Sequence, residues 1–185
     1  MRLSTLLTTL AVAAPLAVVI GGPPASANDD APRMLVAAAA GMTTSDFVQK
    51  VAISDMFEVE SSKLALERSK DPGVRAFAQE MVRDHTMSTN KLKETIKSAH
   101  VDAAPPSSLD DTHQKLLSQL QKSSDFDRDY MKIQMQGHEN ALKLLQDYSQ
   151  GGDNDALKKA ATQTIPMVKK HLAAAEKIAQ PASKT

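Results

Sequence analysis

The sequence predicts an all-α protein whose domain is built from four long helices and one short one. Three observations carry that expectation. Apolar residues recur at helical spacing along four long stretches, and no alternating run reads as a strand. Glycine and proline gather in the first part of the chain and at the joints between those stretches. Aromatic residues make up only 3% of the chain, which fits a helical protein.

The chain opens with MRLSTLLTTLAVAAPLAVVIGGPPASA. An early Arg2, an apolar run from Leu6 to Ile20, a Gly/Pro break and small residues at Ala25 and Ala27 have the layout of a secretory signal. The rival reading of residues 1–27 is an uncleaved membrane anchor. Two threonines and a proline interrupt the run ahead of a small-residue site, so cleavage after Ala27 and a periplasmic or secreted product are expected. Residues 28–43, NDDAPRMLVAAAAGMT, read as a polar and then Ala-rich tether. The domain follows over 44–180, with a tail at 181–185.

A first helix is predicted over about 45–69, after a Thr/Ser cluster able to cap it. KDPG breaks the chain, with Asp71 as N-cap and Pro72 at the first helical position of a second helix over about 72–99. Paired prolines in HVDAAPPSS forbid a helix there. A short helix over about 109–122 and a third long one over about 124–150 come next, the latter stopped at Gly151-Gly152. The fourth runs from about 153 to 180 and should kink at Pro166. Short first and last joints make two antiparallel hairpins, and the long middle connection can cross the length of a bundle. Two hairpins joined by one crossover that carries a short helix is a ferritin-like four-helix arrangement.

Lys plus Arg and Asp plus Glu are 22 each, so nothing favours a nucleic-acid partner. No cysteine is present, which excludes disulfides, thiolate metal sites and Cys nucleophiles. Phosphate-cradling Gly loops are missing, and Ser54, Ser61 and Ser88 lack the strand–turn–helix elbow of a serine nucleophile.

Placing residues at 100° per position sorts the inward faces. In QEMVRDHTMSTNKL, His85 falls near the centre of an arc of Val74, Phe77, Ala78, Met81, Leu92 and Ile96. Glu58 lies in the arc of Phe47, Val48, Val51, Ala52, Val59, Ala65 and Leu66, with Asp55 one turn earlier. His138 is enclosed by Phe126, Tyr130, Met131, Leu142 and Leu145, with Gln134 and Asp127 stacked on the same side. Leu157, Ala160, Met167, Val168, Ala175 and Ile178 surround His171. Each long helix thus offers one inward metal-competent residue: Glu58, His85, His138 and His171. The first three sit near mid-helix, whereas His171 lies about four residues past the middle, a mismatch of roughly 6 Å.

Buried polar groups need partners. These four satisfy one another either around one Fe, Mn, Zn or Cu ion, with Asp55, Asp84 and Asp127 orienting the imidazoles, or through a Glu–His hydrogen-bond network. Met81, Met135 and Met167, three or four residues ahead of the histidines, add a copper(I) reading, although methionine at core spacing is usually filler. His113 also lies on the apolar side of its short helix and has no assigned role.

FEVESSKLALERS, VRAFAQEMVRDHT, FDRDYMKIQMQGHENAL and IPMVKKHLAAA, in this order, resemble a family of exported bacterial ferritin-like domains of unknown function, often described as outer-membrane proteins. The resemblance covers about 44–178 and implies the fold and export, with no known activity. The di-iron Glu-x-x-His signature is replaced by Val82, Met135 and Val168, so iron oxidation or storage is not expected. Three functions compete: a metal-binding protein, a non-enzymatic envelope stress or interaction protein with an envelope partner, and an oxygen- or peroxide-handling enzyme with an open metal position. The sequence carries no catalytic signature, which favours the first two.

Overall fold

In the computed structural model, residues 41–180 are described, and the predicted signal, most of the tether and the tail lie outside them. The described chain is all-helical: α1 (Thr44–Arg68), α2 (Pro72–Ser98), α3 (Asp111–Lys122), α4 (Phe126–Gly151) and α5 (Asp155–Ala179), with no strand among the described residues. Among them, no helix is long and apolar enough to cross a membrane.

α1, α2, α3 and α5 start on side-chain caps, and α4 has none. Thr43 accepts the Asp46 amide at 3.1 Å to open α1. Asp71 takes the amides of Gly73 and Val74 at 2.8 and 3.0 Å, with Pro72 as the first residue of α2. Asp110 and Asn154 do the same for α3 and α5. Two predicted starts move inward by two residues for a visible reason. Ser123 accepts the Asp125 amide at 3.1 Å and donates to Asp129 at 2.7 Å, which keeps 123–125 out of α4. Asp153 is drawn to Thr44 and Tyr148 instead of entering α5, so Asn154 becomes the cap.

α4 ends where predicted, but not by a left-handed glycine. Gly152 has φ −65°, and its amide bonds to Tyr148 O at 2.8 Å. A Cβ at Gly152 would meet that oxygen at 2.6 Å and the tyrosine ring at 2.7 Å, so close approach is what requires glycine. α5 runs through Pro166 as one helix.

Packing follows two apolar clusters. One joins Ala65, Val74, Phe77, Ala78, Met81, Tyr130, Met131 and Ala175, which are the end of α1, the starts of α2 and α4, and the end of α5. The other joins Phe47, Val48, Ala52, Leu92, Leu145, Tyr148, Leu157 and Val168 from the opposite ends. α1 and α5 therefore run one way, and α2 and α4 the other. The segment between α2 and α4 returns the chain from one end to the other, with α3 resting on α1 and α4. Arg68 fixes that helix. Its guanidinium donates to the carbonyls of Leu120, Gln121 and Ser123 at 2.7 to 2.9 Å, at the negative end of α3, and lies 4.7 Å over the Phe126 ring.

Candidate metal centre

Between the two apolar clusters lies a buried polar layer of Asp55, Glu58, Ser61, Ser62, His85, Gln134, His138 and His171. Three imidazoles meet in it. Ring centroids are 5.6 Å apart for His85–His138, 5.6 Å for His85–His171 and 5.4 Å for His138–His171. Each ring offers a ligand atom within 4.8 Å of the other two. His85, His138 and His171 are 5%, 1% and 0% exposed.

The expected height mismatch of His171 is absorbed by α5 itself. Thirteen residues flank His85 on each side in α2, whereas α5 places sixteen before His171 and eight after it. Its ends are not flush with those of its neighbours, and the ring reaches the layer all the same.

One nitrogen of each ring is held. His85 Nδ1 lies 2.8 Å from Asp55 Oδ1, His138 Nδ1 donates to Gln134 O at 2.8 Å, and His171 Nε2 lies 3.0 Å from Asp84 Oδ2. Thr89 donates to the other Asp55 oxygen at 3.3 Å. The opposite nitrogens, His85 Nε2, His138 Nε2 and His171 Nδ1, are buried without a partner. A neutral imidazole that donates through one nitrogen presents a lone pair on the other. Three bare donors from three helices make a ligand set able to hold a cation.

Charge in the layer is tuned by burial. Burial pushes the Glu58 carboxyl from 4.5 up to about 7 against the opposing charge of His85 and the Gln134 amide, with Asp55 adding to the rise. Burial pushes His138 down to about 3, so it is neutral at physiological pH. Burial also lowers His171, outweighing the bond to Asp84. At His85 burial again pulls down, but the Asp55 bond and the charges of Glu58, Asp55 and Asp84 together carry it above the ordinary imidazole value.

Glu58 sits at the edge of the triad. Its Oε1 is 3.9 Å from His138 Nδ1, the nitrogen already bonded to Gln134, and its Oε2 has no partner. It does not join the close set of ligand atoms. Glu58 also lines a surface cavity of about 440 Å³ between α1, α3 and α4, where Gly137 leaves room for it: a Cβ there would lie 3.0 Å from Oε1.

The three aspartates separate. Asp55 serves His85. Asp84, adjacent to His85 in sequence, serves His171 across the α2–α5 contact. Asp127 orients no imidazole: it lines a different cavity with Asp71, Val74 and Met131. Eleven residues of helix put it roughly 16 Å from His138 along the axis. Sequence reasoning missed Thr89 and the Gln134 carbonyl. A backbone acceptor four residues before a histidine leaves no side-chain signature, while Thr89, one turn beyond His85, was visible as a polar residue near the inward arc. At the rim, Glu80, Asp84 and His171 form a second close set, in which Glu80 is paired with Lys170 at 2.7 Å and Arg83 at 3.9 Å. Met81 packs in the apolar cluster beside Phe77 and Tyr130, and Met135 borders it.

A family model described as "Domain of unknown function (DUF4142)" matches residues 31–178. The chain belongs to that family. No curated protein matches it. Among solved structures, "CopM in the Cu(II)-bound form" is similar over 76% of this chain and 97% of that one, at 14% identity and TM-score 0.64. A "DUF305 fragment from Deinococcus radiodurans" is similar over 72% and 92%, at 13% identity and TM-score 0.62. CopM in its Cu(I)-bound form matches over 74% and 94%, at 15% identity and TM-score 0.61. At such identities the likeness concerns the helical fold alone.

Proposed function

We propose that this DUF4142 protein is an exported, non-enzymatic metal-binding protein that holds one transition-metal ion on His85 Nε2, His138 Nε2 and His171 Nδ1, within a ferritin-like helical framework. One observation carries the reading: three buried rings from three helices offer ligand atoms within 4.8 Å of one another, each with one nitrogen held and the other buried and bare. The up-down-down-up order of the long helices supports the ferritin-like framework. The layout of residues 1–27 supports export.

Copper is the ion we assign first. Imidazole suits copper, zinc and iron, and copper(II) heads the affinity order of the divalent first-row ions. CopM, alike in fold, is described in Cu(II)-, Cu(I)- and Ag-bound forms. Asp55, Asp84 and the Gln134 carbonyl hold the rings in the tautomers that binding needs. Glu58 supplies charge: a cation in the triad favours its carboxylate form, so uptake near neutral pH releases its proton. The absence of Glu-x-x-His pairs argues against di-iron chemistry.

Metal content of protein purified without a polyhistidine tag, stripped and titrated with copper or zinc, tests the reading. One equivalent should bind and raise the melting temperature, and a variant with His85, His138 and His171 all changed to Gln should bind none. No stoichiometric uptake of copper, zinc, iron or manganese, or unchanged uptake by the triple variant, would overturn it. A second reading, that the polar layer only fixes helix register in a protein acting through an envelope partner, is favoured by the buried Ser62–Tyr130 and Gln134–Ser61 bonds at 2.8 and 3.3 Å, which need no ion. It predicts wild-type cellular behaviour for that folded triple variant.

A further inference from the structure

A second cavity, about 210 Å³, opens between α2 and α5, with Asp84, Met87, Lys91, Gln163 and Met167 among its walls. Met87, at its edge, stands 62% exposed. Deeper lies a cavity of about 30 Å³ lined by Asp55, His85, Ser88, Thr164 and Met167, room for about one ion or water. The two share a wall of Val51, Ser88, Leu145, Thr164 and Met167. The cavities therefore adjoin: Met87 lies at the outer one, Met167 is common to both, and the inner one reaches the His85 ring beside Asp55.

Resting on the metal-binding reading, we infer that these two cavities are the loading path of the triad, and that their thioethers select a soft monovalent cation, Cu(I) or Ag(I). Thioether sulfur is a good ligand for such ions and a poor one for Zn(II). A lone methionine at core spacing is filler, but Met87 is not in the core, and Met167 separates two cavities instead of closing one. The outer cavity carries one group of each sign: Lys91, which donates to Gln163 at 3.2 Å, and Asp84, the partner of His171. The larger cavity over Glu58 offers no such path. It has no triad ring in its wall.

The test compares loading rates with equilibrium binding in Met87→Leu/Met167→Leu, a change that keeps volume and apolarity and so keeps the fold. Transfer of Cu(I) from its bicinchoninate complex to stripped protein is followed by loss of the complex's colour, and Zn(II) transfer from a chromophoric indicator serves as control. The double variant should load Cu(I) about tenfold or more slowly, with unchanged stoichiometry and unchanged Zn(II) rate. Unchanged Cu(I) loading, or equal slowing of Zn(II), would overturn the path while leaving the triad intact. Loss of all binding by wild-type protein would instead remove the metal-binding reading and the path with it. A Met87→Leu single variant guards against a folding defect: it alters only an exposed side chain and should still slow Cu(I).

Discussion

His113 and the central histidines start from the same sequence feature, an imidazole on the apolar side of a helix, and end in different chemistry. On α3, His113 bonds through Nδ1 to Asp110 at 2.7 Å, three residues away on its own helix start, and its ring meets Phe57 edge-on at 5.3 Å. About a third of that side chain stays in solvent. In the central layer the carboxylate partners come from other helices, Asp55 of α1 for His85 and Asp84 of α2 for His171. His113's partner is the cap residue itself, so that histidine is an accessory of the α3 cap, whereas His138 bonds a carbonyl within its own helix, at Gln134. A partner from a neighbouring helix orients the ring against the whole fold and leaves its far nitrogen buried and free of a partner, as at His85 and His171.

The largest expected effect removes that cross-helix orientation. Changing Asp55 and Asp84 together to Asn keeps an acceptor at each position but withdraws the negative charge that makes the imidazoles better donors. Each change should weaken metal binding about 10- to 100-fold, and the pair roughly a thousandfold, in competition with a chromophoric chelator. Asp110→Asn, made beside the surface histidine, should leave the affinity where it was, because Asn also caps helices and no ligand depends on it. Equal losses from the two kinds of variant would erase the distinction.

Next in size is the cost of the buried acid, a feature the His113 region lacks. In the metal-free protein Glu58 titrates near 7 when folded and near 4.5 when unfolded. Between those values the native state holds a proton that the unfolded chain has released. Its neutral form thus favours the fold fully below about 4.5, and that advantage is lost as pH rises through about 7. Glu58→Gln escapes the loss, so its stability relative to wild type should climb over that window by on the order of 3 kcal/mol and then level off. His138 works in the opposite sense: held neutral down to about 3, it makes both proteins less stable as pH falls from about 6.5. Denaturant melts of both proteins at pH 4.5, 6 and 8 would reveal the diverging curves, and parallel curves would contradict the buried position of Glu58.

Much of this contrast was legible in the sequence because it depends on helical period. The cap at Asp71, the arcs around His85, His138 and His171 and the inward face of Glu58 follow from residue spacing. Partner identity was less accessible, since it depends on which helices touch and at what height. Asp84 stands next to His85 along the chain but points to α5, because neighbouring residues on a helix diverge by 100°. Asp127 shares a face with His138 yet is three turns away, so facing is not proximity. His171 looked misplaced only while all helices were assumed flush. The α4 and α5 starts were early by two residues because Ser123 and Asp153 form tertiary or turn contacts that propensity does not encode.

The smallest effect is the sharpest check on the comparison. His113→Gln removes an imidazole whose burial, partner and distance all set it apart from the triad. Gln can still approach Asp110 and cover part of Phe57, and the Asp110 bond to the residue-113 amide, which caps α3, involves no side chain of residue 113. Metal stoichiometry and affinity should therefore stay within about twofold of wild type, and stability within about 0.5 kcal/mol, as for other surface substitutions. A clear loss of metal binding would mean that His113 communicates with the centre across the cavity it shares with Glu58, and that α3 belongs to the site and not to its surroundings.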